Sequence, residues 1–139
     1  METDIKIEKV VDNSELIKKA LPEQIEQALI AIGSRAESHA KENCPVDTGL
    51  LRNSITYAIG GQAPAITEYS DDNNEQHGSY SGNAPTDING EMTLYVGTNV
   101  EYAESIELGH SKKAPNGFLK NAMTGNTAEY SSLLKDALT

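Results

Sequence analysis

Few groups in this 139-residue chain could do chemistry. One cysteine, Cys44, and three histidines, His39, His77 and His110, could in principle form a thiolate–imidazole pair. In such a pair the ring takes the thiol proton and the sulfur attacks a carbonyl. Nothing around Cys44 matches a cysteine-hydrolase signature, and it precedes Pro45, so it reads as a small apolar filler at a helix end. A metal site needs ligands clustered at short spacing, which scattered His and a single Cys do not supply. Asp71-Asp72-Asn73-Asn74-Glu75 is rich in oxygen but lacks the alternating spacing and central Gly of a calcium loop, and reads as a solvated loop. No glycine loop followed by Lys is present to cradle a phosphate. The expectation is a protein with no catalytic residue, no cofactor and no metal.

Charge says more. Eleven Lys and Arg stand against 21 Asp and Glu, giving a net charge of −10. No base occurs between Arg52 and Lys112, and that gap holds Glu68, Asp71, Asp72, Glu75, Asp87, Glu91, Glu101, Glu104 and Glu107. An acid-only stretch does not bind nucleic acid through phosphates, because that needs Lys and Arg. It can face a basic partner, repel DNA or simply be hydrated. The start, METDIKIEKVVD, lacks the apolar run of a secretory signal, and no stretch approaches the roughly 20 apolar residues of a membrane span. A cytoplasmic origin is expected. Hydrophobic residues make up 37%, with one Phe and no Trp, below the roughly 45–50% usual for globular domains. So lean a core suggests support from partner subunits.

The elements follow from periodicity. Ile5-Lys6-Ile7-Glu8 with Val10-Val11 predicts a short strand, and Ser14 can cap a short helix over Glu15–Leu21. Ile25, Ala28, Leu29, Ile32, Ala36 and Ala40 predict an amphipathic helix from about Pro22 to Asn43, stopped by Pro45. Gly33 inside it would let another backbone approach. A strand over 54–59 should pair with one over 92–97. Residues 62–90 show no periodicity and read as a long loop that leaves the compact core. Tyr102, Ala103 and Ile106 predict a short helix closed by Gly109. Asn126 or Thr127 caps a last helix carrying Tyr130, Leu133, Leu134, Ala137 and Leu138.

Three segments, in order, resemble the tail-completion, or head-to-tail joining, proteins of long-tailed bacteriophages and prophages. The first is Cys44-Pro45-Val46-Asp47-Thr48-Gly49-Leu50-Leu51-Arg52-Asn53-Ser54-Ile55. The second is Val96-Gly97-Thr98-Asn99-Val100-Glu101-Tyr102-Ala103, running on to Glu107-Leu108-Gly109. The third is Pro115 with Phe118-Leu119 and Ala122. Two features depart from that family. Only Lys112 and Lys113 supply charge after Gly109, and the 62–90 segment is longer and more polar. Physically, Asp47 can cap the following turn, Gly49 can take a positive φ, and Arg52 can pair with Asp47 or Glu107.

The reading is therefore an α+β domain over 1–139: a long helix on a small antiparallel sheet, with 62–90 as an extended loop and a C-terminal helix. The resemblance implies a structural virion protein of the neck, built in the host cytoplasm and working without chemistry. It would form a ring, hexameric to match the tail tube, between the head connector or stopper and the tail tube or terminator. DNA would pass through without specific binding, and no membrane is involved. The competing expectations are a minor capsid or head-associated protein, and a small prophage-encoded enzyme or inhibitor. Some of the nine acids are expected to face the channel or a partner.

Overall fold

The computed structural model describes residues 18–86 and 92–139. The expected strand at 5–11, the start of the 15–21 helix, and Asp87 and Glu91 lie outside the described residues.

Helix α1 runs Pro22–Asn43, as the periodicity predicts. Pro22 sits in its first turn, where a missing N–H is no loss. The Gln24 side chain accepts the Leu21 N–H at 2.8 Å, satisfying one free donor of the helix start. At the other end Cys44 is extended (φ −73°, ψ 131°), the conformation that Pro45 imposes on it. The buried stripe is Ala28, Leu29, Ile32, Gly33, Ala36 and Ala40.

A short helix α2, Leu50–Ser54, leads into strand β1, Thr56–Ile59. Strands β2, Glu68–Ser70, and β3, His77–Ser79, form a hairpin of their own. Strand β4, Leu94–Gly97, returns antiparallel to β1, with Tyr57 opposite Val96 and Ile59 opposite Leu94. The period of two puts those four residues on one face, toward α1. There Gly33 is decisive. A Cβ at that position would stand 2.5 Å from Cδ2 of Tyr57 and 2.9 Å from Cδ1 of Leu94. The expected close approach is thus made by an aromatic ring and a leucine of the sheet, not by another backbone.

Residues 62–86 differ from the unpatterned excursion that their lack of periodicity predicts. They contain the β2–β3 hairpin, with Tyr69 packed on the core. The Ala65 N–H donates to the Tyr57 carbonyl at 2.9 Å. Pro64, Tyr80 and Pro85 face Ala58 and Tyr95 across a shallow pocket of about 80 Å³. This segment therefore lies over the sheet face that α1 leaves bare.

Helices α3, Ala103–Leu108, α4, Phe118–Thr124, and α5, Thr127–Leu138, complete the chain. Helix α4 was not legible as a separate element. Its Phe118, Leu119 and Ala122 are fully buried, each large apolar side chain worth roughly 1.5–3 kcal/mol. The Tyr130 hydroxyl, buried with its ring, donates to the Ala122 carbonyl at 2.5 Å, and burial pushes that phenol up to about 12. Among the described residues no helix is long and apolar enough to cross a membrane.

A polar clasp closes α5 on α1. Glu129 accepts from Arg35 Nε at 2.6 Å and meets His39 Nε2 at 2.7 Å. The Arg35 hydrogen bond, then that from His39, holds the Glu129 carboxyl below its ordinary value of 4.5. A carboxyl depressed by folding favours the native state at neutral pH and loses that effect as pH falls through its folded value. Acid unfolding followed by circular dichroism should therefore show Glu129→Gln less stable than the native chain at neutral pH. The difference should shrink as pH falls below the ordinary carboxyl value of 4.5 and disappear once Glu129 is protonated in the folded chain.

Candidate functional site

The two first segments singled out in the sequence meet around the β2–β3 hairpin. In the first, Gly49 takes φ 89°, a conformation that favours glycine. A side chain there would also run into the Asp72 carboxylate. The turn after Gly49 is supported by Thr48, whose Oγ1 accepts the Leu50 N–H at 3.3 Å, rather than by Asp47. Thr48 then reaches the hairpin: its carbonyl accepts the Asp72 N–H at 2.8 Å.

Arg52 pairs neither with Asp47 nor with Glu107. Its Nη2 lies 2.5 Å from Asp72 Oδ1. Asn53 Nδ2 donates to the same oxygen at 3.0 Å and to the Ser70 carbonyl at 2.9 Å. The Asn53 amide, then Arg52, holds the Asp72 carboxyl below its ordinary value, against a contrary effect of desolvation. The sequence could not single out Asp72, because it sits among nine acids of one stretch.

The second segment grips the hairpin from its other side. Asn99 accepts from the Tyr69 hydroxyl at 2.5 Å and donates through Nδ2 to the Ser79 carbonyl at 2.8 Å. The Asn99 N–H reaches the Tyr80 hydroxyl at 3.2 Å, and that hydroxyl donates to the Ser54 carbonyl at 2.7 Å. The Tyr69 and Tyr80 rings lie 5.6 Å apart between centroids. Below them Ser54 Oγ and Thr98 Oγ1, both fully buried, share a hydrogen bond of 2.5 Å.

Glu107 joins the second segment to the third. It is buried, and its two carboxylate oxygens accept the N–H groups of Leu119, at 2.7 Å, and Lys120, at 3.1 Å. It caps α4 from a distance of twelve residues, at the end of the helix that favours negative charge. Gly97 ends β4 and Gly109 ends α3 with φ 77°, where a Cβ would press on Pro115 N at 2.7 Å.

Asp71 also has an internal duty. It is buried, and its carboxylate accepts the N–H groups of Asn73, Glu75 and Gln76 at 3.1, 2.8 and 3.1 Å. The oxygen-rich run is therefore a hairpin turn organised on buried Asp71, with Asp72, Asn73, Asn74 and Glu75 exposed as the solvated-loop reading expects. Asp71 and Glu107 leave the set of outward-facing acids, and Asp72 is tied to Arg52. Glu68, Glu75, Glu101 and Glu104 remain exposed.

Cys44 is buried, which pushes its thiol up to about 11, so it is protonated near neutrality. Each histidine has a local partner: His39 meets Glu129, His77 the Asn74 carbonyl, and His110 Nδ1 accepts the Lys112 N–H. Among the described residues no group of three His, Cys, Asp or Glu could hold a metal ion. The arrangement is an architectural clamp. Its polar groups are turned on each other and on the backbone.

Two outcomes check this. Glu107→Ala should destabilise the fold by about 2 kcal/mol in denaturant unfolding, since two N–H groups at a buried helix start lose their acceptor. Glu107→Gln should lose less. Arg52→Ala should speed hydrogen exchange at the amides of Asp72, Glu75 and Gln76, while those of α1 keep their protection.

A family model described as "Bacteriophage HK97-gp10, putative tail-component" matches residues 8–109. Comparison with curated proteins and with solved structures gave no match.

Proposed function

The chain belongs to the HK97-gp10-like family of bacteriophage tail components, structural parts of the virion, and from that premise we propose that it joins head to tail in the neck. It would do so as a single domain forming a ring, sixfold like the tail tube, between the head connector or stopper and the tail tube or terminator. The work is assembly, by docking of preformed surfaces and without catalysis.

One observation carries this reading: all three segments that resemble head-to-tail joining proteins are tied into one hydrogen-bonded unit that presents a rigid hairpin. Thr48, Arg52, Asn53 and Asn99 hold the hairpin, and Glu107 ties the unit to α4. Residues held for shape suit a protein that must fit rings above and below it. Glu68 and Glu75, exposed on the hairpin, suit a channel wall that repels passing DNA. Such a field decays over about 8 Å at physiological salt, so only acids at the wall itself act.

A phage whose copy of this gene is interrupted should accumulate filled heads and finished tails that remain separate in electron micrographs. Purified protein added to the lysate should join them. Joined particles formed without the protein would overturn the reading. Defective shells with tails attached would move it to the capsid. Reversing Glu68 and Glu75 to Lys should leave joining intact but slow DNA ejection, most strongly at low salt.

A further inference from the structure

Four large apolar side chains are exposed among the described residues: Leu21, Val46, Tyr102 and Leu108. Val46 and Tyr102 meet at a groove of about 430 Å³ between the first turn and α3, lined by Val46, Asp47, Leu50, Tyr102, Ile106 and Lys113. Leu21 lies at the opposite end of α1, 62% exposed. Twenty-two helical residues separate the two places, about 33 Å along the axis. A chain cannot bring its own Leu21 to its own groove.

The charges around the two places are opposite. Exposed Asp47 and Lys113 line the groove, exposed Glu101 and Glu104 flank Tyr102 along the chain and exposed Lys112 precedes Lys113; Arg52, at the groove's edge, is paired with Asp72, so acids outnumber the free bases there. Beside Leu21 stand exposed Lys18 and Lys19 and the positive end of α1, against Glu23. An apolar knob with cations faces outward at one end, and an apolar groove with an acidic rim opens at the other.

We propose that Leu21 of one copy, flanked by Lys18 and Lys19, docks in the Val46–Tyr102 groove of the next copy. The occupant is a second copy of this chain because the complementary knob is on the chain itself. Knob and groove on different ends make a head-to-tail contact, which closes into a ring when the rotation per copy allows it. This inference rests on the ring reading above and supplies its interface.

Leu21→Asp and Tyr102→Asp test it, because both are among the exposed large apolar side chains. The native chain should assemble into a closed species, about 90 kDa if six copies of 15.0 kDa take part, read by light scattering. Each variant alone should need at least about tenfold more protein to assemble. An equimolar mixture should stop at a dimer, because only one intact knob and one intact groove remain. That dimer would also prove both variants folded. A native ring that both variants still form would overturn this interface and leave the ring reading standing. Variants that form the ring but fail to join heads to tails would assign the groove to a head or tail protein instead. A native chain that stays monomeric in solution and in isolated necks would overturn both.

Discussion

Everything in this small molecule is arranged around one bare patch of helix. Gly33 leaves no side chain on the buried stripe of α1, and the Tyr57 ring and Leu94 fill the space. A Gly inside a helix costs roughly 1 kcal/mol relative to Ala, so the close approach must return more than that. It does so by letting a two-stranded sheet lie flat on α1. The same helix also carries α5 through the Glu129 clasp. With 37% hydrophobic residues, the chain cannot afford a second core, and one helix face serves the sheet and the C-terminal helices together.

What the core lacks in apolar area is supplied by side chains bonded to backbone. Asp71 ties three amides of the hairpin turn, Glu107 ties two at the start of α4, and Asn99 and Asn53 hold β3 and β2 by their carbonyls. Bonds to an ionised group contribute more than neutral ones and fix geometry closely. An acidic, polar chain can therefore hold a defined shape. The acid-only stretch divides into acids that shape the fold and acids that face outward.

Periodicity made some of this legible. The limits of α1, the β1–β4 pairing and the closure of α3 at Gly109 were readable because apolar spacing, Pro and Gly set them locally. The β2–β3 hairpin was not readable. Its strands have three residues each, and its stability comes from Thr48, Arg52, Asn53 and Asn99, far away in sequence. Arg52 showed the need for a carboxylate but not which one, since Asp72 becomes its neighbour only once the hairpin docks. Glu107 stood both among the nine acids and as a candidate partner of Arg52, because nothing local reveals that α4 starts against it. Motif order, by contrast, pointed to the phage family, and the family match over residues 8–109 agrees with it.

A structural protein of the virion acts through where it sits, and position is what most directly tests the neck assignment. Phage particles carrying an epitope after Thr139 can be labelled with gold-tagged antibody and imaged. Gold should fall at one place per particle, the junction of head and tail. Gold spread over the shell, along the tail or at its tip would contradict it.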